Sequence, residues 1–198
     1  MLQIVLAAFL AASGLGANAF GQDADSRPVK PALLVVDIQN EYIPMMDETE
    51  RDAALRMING AIWQFRQFER PVIRVYHTDP QWGPEPGSEG FEFPKSVIVR
   101  EDDPKVVKNY PSAFTKTDLD RILKELDANA VFICGLSATA CVLATYFGAL
   151  DHEYDAFLID GAIMSDDAAH TETVKDIVNS VDWAGLELIL RASRQAPR

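Results

Sequence analysis

The chain is poor in cysteine and histidine, with 2 of the first and 3 of the second in 198 residues. Two cysteines cannot build the disulfide framework of a small secreted scaffold. The histidines, His77, His152 and His170, lie far apart, so the sequence offers no spaced pair for a metal. Positive charge is scarce as well: 18 Lys and Arg against 30 Asp and Glu leave a formal charge of −12 at pH 7. Such a balance repels polyphosphates and anionic membrane surfaces, which argues against nucleic acid as a main partner. Internal repeats are absent. What the chain does contain is 48% hydrophobic and 24% charged residues, enough to bury a sizeable core and too apolar for intrinsic disorder.

One apolar run stands apart from the rest. Ile4 to Leu15 is too short to span a bilayer comfortably and leads into Ala17-Asn18-Ala19, a small-x-small cleavage pattern. The expectation is a secretory signal peptide over residues 1–19, a polar tail over 20–31 holding Pro28 and Pro31, and a single domain over 32–198. Export would place the mature chain in the periplasm or outside the cell, with no membrane attachment. No Lys or Arg accompanies Met1, and the first charged residue is Asp23. That departure keeps an uncleaved anchor and a cytoplasmic location as alternatives. Gly14 to Ala19 also fits a G-x-G-x-x-A spacing, but no strand precedes it and no helix follows, so no dinucleotide site is expected.

From Pro31 onward apolar runs alternate with amphipathic stretches. Ala32 to Ile38 is continuously apolar up to Asp37, as expected of a strand buried on both faces. Glu50 to Phe68 spaces Ala54, Leu55, Ile58, Ala61, Ile62 and Phe65 as one face of a helix that Pro71 ends. Val72 to Tyr76 reads as a strand, and His77 to Lys95 as a long Pro- and Gly-rich connection of a functional kind. Val97 to Val99 and Lys105 to Lys108 read as short extended pieces, before a helix that Thr117 caps. In that helix Leu119, Ile122, Leu123 and Leu126 should face inward. Val131 to Gly135 is a strand, Ala140 to His152 a helix, Ala156 to Asp160 a strand, His170 to Val181 a helix and Leu186 to Leu190 a final strand. The alternation predicts a three-layer α/β/α fold around a doubly wound parallel sheet of Rossmann type, with a site at the carboxyl ends of the strands.

Three reactive side chains fall at that rim: Asp37 at the end of the first strand, Lys108 at the end of a short extended piece, and Cys141 at the start of a helix. A helix amino terminus should lower the thiol pKa and offer N–H donors to an oxyanion. A carboxylate beside a lysine can accept the thiol proton and return it to a leaving amine. Singly each has a plainer reading, as core filler, helix cap and surface charge respectively. Cys134, in mid-strand, should be inert core.

The sequences around the trio settle between those readings. Ala32-Leu33-Leu34-Val35-Val36-Asp37-Ile38-Gln39-Asn40-Glu41-Tyr42 resembles the opening motif of the isochorismatase-like cysteine hydrolases. Lys108 to Leu119 is similar to the family's K-x-x-x-S-A-F-x-x-T-x-L segment, and Phe132 to Val142 to its nucleophile segment, with Gly135 six residues ahead of Cys141. The resemblance spans Pro31 to Asp167 and implies a parallel sheet flanked by helices. It implies Cys141 as nucleophile, Asp37 as general acid and base, and Lys108 as the charge that holds both. It also implies backbone N–H groups of Ser137 and Cys141 as an oxyanion hole, a cis Leu136–Ser137 peptide, and no cofactor. The implied substrate is a small amide, carbamoyl or ureido compound cleaved at a C–N bond through a thioester. An isochorismatase-type vinyl-ether hydrolase and a non-catalytic interaction module are the alternatives.

Two departures matter. Ala138 stands where relatives commonly have Thr, with Thr139 shifted by one, and the paired histidines of metal-binding nicotinamidases are missing. The expectation is therefore no metal, with Tyr42 and His77 binding substrate, Trp82 and Phe91 covering the pocket, and Phe114 used in packing. Relatives are often oligomers, which implies a homodimer or homotetramer.

Overall fold

The computed structural model describes residues 27–194; the expected signal peptide and most of the tail lie outside the described residues. Six strands form one parallel sheet: β1 (Pro31–Val36), β2 (Val72–His77), β3 (Lys105–Lys108), β4 (Ala130–Gly135), β5 (Asp155–Ile163) and β6 (Ser180–Val181), in the order β3-β2-β1-β4-β5-β6. Five helices cover it: α1 (Glu48–Gln67), α2 (Leu119–Glu125), α3 (Leu143–Asp151), α4 (Ala168–Ile177) and α5 (Trp183–Arg194). This is the three-layer α/β/α arrangement that the alternation predicts.

All six residues of β1 are buried, because its side chains alternate between two cores. Leu33 and Val35 join Ile58, Ile62 and Phe65 of α1 and Leu186 and Leu190 of α5 on one face. Ala32, Leu34 and Val36 join Leu119 and Leu123 of α2 and Tyr146 of α3 on the other. Each fully buried Leu, Ile or Phe contributes roughly 1.5–3 kcal/mol relative to exposure. Asp47 starts α1 by accepting the Thr49 N–H at 2.8 Å, and Thr117 accepts the Leu119 N–H at 3.2 Å at the start of α2, as its hydroxyl suggests.

The sheet order reverses between β1 and β4, which pair from Pro31↔Ala130 to Val36↔Gly135. Chains leave these two carboxyl ends toward opposite faces, so a crevice opens there. Gly135 makes the closest approach possible: at φ +128°, a Cβ on it would lie 2.0 Å from the Val36 carbonyl oxygen.

Four local expectations are corrected. Leu186 to Leu190 is helix, part of α5, with Leu186, Leu190 and Ser193 buried at helical spacing while Leu188 is 69% exposed. A strand would have put Leu188 on the same face as Leu186 and Leu190. The helix predicted to Val181 stops at Ile177, and Ser180–Val181 pairs with Leu158 and Ile159 as the edge strand. Val97 to Val99 forms no strand. Leu126 caps α2 as an exposed residue instead of facing the core.

Candidate active site

Asp37 is the first residue past β1. Its backbone turns into the left-handed region at φ +55°, which Asp tolerates better than most residues, while its N–H donates to the Val75 carbonyl at 2.9 Å. The turn sends the side chain inward, to 2% exposure. Two residues on, the fully buried Gln39 donates from Nε2 to the His77 carbonyl at 2.9 Å and accepts the His77 N–H on Oε1 at 2.7 Å. That clamp ties the exit of β1 to the end of β2. The one sequence signal for Gln39 is an amide two residues past Asp37. Lys108 ends β3 in register with His77, and its side chain is fully buried. Cys141 lies in a π-helical turn, Ala138–Val142, that follows β4 and runs into α3; the Leu136–Ser137 peptide before it is cis.

The three side chains meet at one point. The Lys108 ammonium donates to Asp37 Oδ2 at 2.8 Å and to Cys141 Sγ at 3.1 Å, and its contact with His77 Nδ1 is 3.1 Å. An ammonium has three protons and no acceptor, so these three partners use it completely. His77 therefore accepts on Nδ1, which leaves its hydrogen on Nε2. Burial and the Lys108 charge hold its pKa below the usual histidine range, consistent with a neutral ring. Asp37, His77 and Cys141 have ligand-type atoms within 4.8 Å of one another, but the ammonium lies in their midst. A second cation there would meet a fixed positive charge, so the cluster does not fit a resident metal.

Burial dominates the titration of the site. It raises the Asp37 pKa despite the opposing pull of Lys108, and Asp37 Oδ1 is buried with no hydrogen-bond partner. The Cys141 thiol is pushed up to about 12, first by burial and then by the Asp37 charge, against Lys108. This corrects the expectation of a lowered thiol pKa, because burial beside the Asp37 carboxylate outweighs the opposing Lys108 charge. The resting sulfur is a thiol with a base of raised proton affinity beside it. Cys134, fully buried in β4, is pushed higher still by burial alone, as its mid-strand position suggests.

Asp37, His77 and Cys141 line a pocket of about 380 Å³, together with Tyr42, Met46, Leu136, Ser137 and Ala140. Asp79 and Trp82 also line it, and Trp82 is 85% exposed. The pocket thus holds both residues expected to bind substrate, Tyr42 and His77, and the aromatic of the long loop. Phe91 does not reach it. That ring is buried in the core and stacks on Tyr76 at 5.0 Å, so it is corrected to a packing residue. Phe114 packs against His152 and Tyr154. The displaced Thr139 hydroxyl lies 3.3 Å from that of Ser137.

Comparison with known proteins gives this geometry a family context. The isochorismatase domain model matches residues 31–185. The isochorismatase family protein YddQ of Bacillus subtilis, itself uncharacterized, is 33% identical over 136 residues, 66% of this chain and 76% of YddQ. The probable inactive nicotinamidase At3g16190 of Arabidopsis thaliana is 27% identical over 172 residues, 75% of this chain and 88% of its own. Among solved structures, N-carbamoylsarcosine amidase of Thermoplasma acidophilum superposes with a TM-score of 0.68 at 27% identity, covering 78% of this chain and 95% of the amidase.

Proposed function

The chain belongs to the isochorismatase family, and from that premise we propose that it is a metal-independent cysteine hydrolase that cleaves a C–N bond of a small amide, carbamoyl or ureido compound. The observation that carries the reading is the Lys108 ammonium held 2.8 Å from Asp37 and 3.1 Å from Cys141 against a pocket of about 380 Å³. A volume of that order suits a small molecule.

The chemistry follows from the proton positions. Cys141 enters as a thiol; as Sγ bonds to the substrate carbonyl carbon, Asp37 takes the thiol proton on its unpartnered oxygen. Lys108 offsets the negative charge that then shifts from carboxylate to sulfur and oxygen. The backbone N–H groups of Ser137 and Cys141 receive the oxyanion. Collapse breaks the C–N bond, and Asp37 returns the proton to the departing nitrogen as ammonia or an amine. Water then attacks the thioester, its proton passes to Asp37, and the thiol is restored as the acid leaves.

Two alternatives are disfavoured by the same geometry. Vinyl-ether hydrolysis needs no thiol, and a binding module needs no buried lysine and carboxylate, whose desolvation costs several kcal/mol per ion. The plant relative named as inactive makes the side chains, not the fold, the basis of the proposal. Ammonia release measured across primary amides, ureido acids and carbamoyl amino acids should identify turnover that Cys141→Ala abolishes. Turnover surviving in Cys141→Ala would overturn the mechanism.

A further inference from the structure

Resting on the amide-hydrolase reading, we infer that the pocket selects substrates whose far end carries no anion and favours a cationic amine there, with Asp79 as the specificity-determining residue. Binding a carboxylate takes a guanidinium, a free ammonium or a cluster of aimed donors. Among the described residues no arginine lines the pocket, and the lysine beneath it is spent: Lys108 is fully buried and gives its three protons to Asp37, His77 and Cys141. The neutral His77 supplies at most one N–H.

Negative charge, by contrast, is built in. Asp79 Oδ1 accepts the backbone N–H groups of Gln81 at 2.8 Å and Trp82 at 3.0 Å, which fixes the carboxylate in the pocket wall. Among the described residues no side chain donates to its second oxygen. The neighbouring Trp82 indole is 85% exposed and lines the same pocket, and an indole ring attracts ammonium groups. The Tyr42 phenol in the same pocket is pushed up to about 12, by burial first, with Asp79 the least of the acidic groups that add to it. An entering carboxylate therefore meets an unneutralised anion, whereas an amine meets a carboxylate and an indole. This separates the chain from the carbamoyl amino acid named in the Thermoplasma amidase, since sarcosine carries a carboxylate.

Three amides of matched length test the inference on the full chain: 4-aminobutanamide, pentanamide and glutaramate, scored as kcat/KM for ammonia release. Glutaramate should fall about tenfold or more below pentanamide, with 4-aminobutanamide at or above it. Asp79→Asn keeps the Oδ1 acceptor of the turn and removes the charge; it should cut the amine-over-carboxylate ratio about fivefold. A second readout needs no turnover. Alkylation of Cys141 by iodoacetamide, relative to iodoacetate and normalised to glutathione, should be about tenfold favoured, and less so in Asp79→Asn. Glutaramate turned over as well as pentanamide, iodoacetate favoured over iodoacetamide, or ratios unmoved by Asp79→Asn would each overturn the inference. If all three amides are inert, the primary-amide branch of the C–N hydrolase reading falls, while the alkylation ratio still decides the charge preference.

Discussion

Asp37, Cys141 and His77 surround the buried Lys108 ammonium. Removing one partner of such a buried pair leaves the other uncompensated, which costs about 3–5 kcal/mol. Lys108→Ala should therefore lower the unfolding free energy by about that amount at pH 7, and abolish turnover. The pH dependence has a definite sign. Burial already raises the Asp37 pKa with Lys108 present, and loss of the ammonium raises it further. The folded variant then binds a proton more tightly than the unfolded chain, so its deficit should shrink as pH falls below the raised Asp37 pKa. Denaturant titrations at several pH values measure this; a deficit that grows on acidification would show that Asp37 is not the stranded charge. That Asp37, Lys108 and Cys141 share one site was legible in sequence because each sits in a distinctive local motif. The Gln39 clamp and the raised thiol pKa were not, since the first depends on β2 lying alongside and the second on burial beside Asp37.

At the scale of elements, stretches whose pattern admits one reading were legible, the four-residue Lys105–Lys108 strand among them, and stretches that admit two were not. The continuously apolar β1 and the amphipathic α1 admit one reading each. The stretch Leu186-Glu187-Leu188-Ile189-Leu190 has apolar residues that satisfy both a strand and a helix, and only packing under the sheet decides between them. The helix makes a prediction that a strand would not. Leu190 is fully buried and Leu188 is 69% exposed, so Leu190→Ala should cost about 2–5 kcal/mol, whereas Leu188→Gln should stay within about 0.5 kcal/mol of the parent. Equal losses at both positions, read by chemical denaturation, would return this segment to the sheet. Gly135 belongs at this scale as well. Its six-residue distance from Cys141 was visible in sequence, but the reason, a backbone approach to Val36 that no side chain permits, appears only when β1 and β4 are paired.

For the molecule as a whole, the −12 charge acts on substrates before they reach the pocket. This long-range field and the Asp79 carboxylate push in the same direction, and ionic strength separates them. Screening shortens from about 30 Å at 0.01 M salt to about 3 Å at 1 M, which removes the field of distant surface charges while weakening a contact within the pocket much less. Over that range kcat/KM for glutaramate should rise several-fold, that for 4-aminobutanamide should fall, and that for pentanamide should stay nearly flat. The salt slopes should persist in Asp79→Asn, because they belong to the surface, while the residual selectivity at high salt should diminish, because it belongs to the pocket. Parallel changes for all three amides would assign the salt effect to the protein's own stability, and the acidity of the chain would then have no part in choosing its substrate.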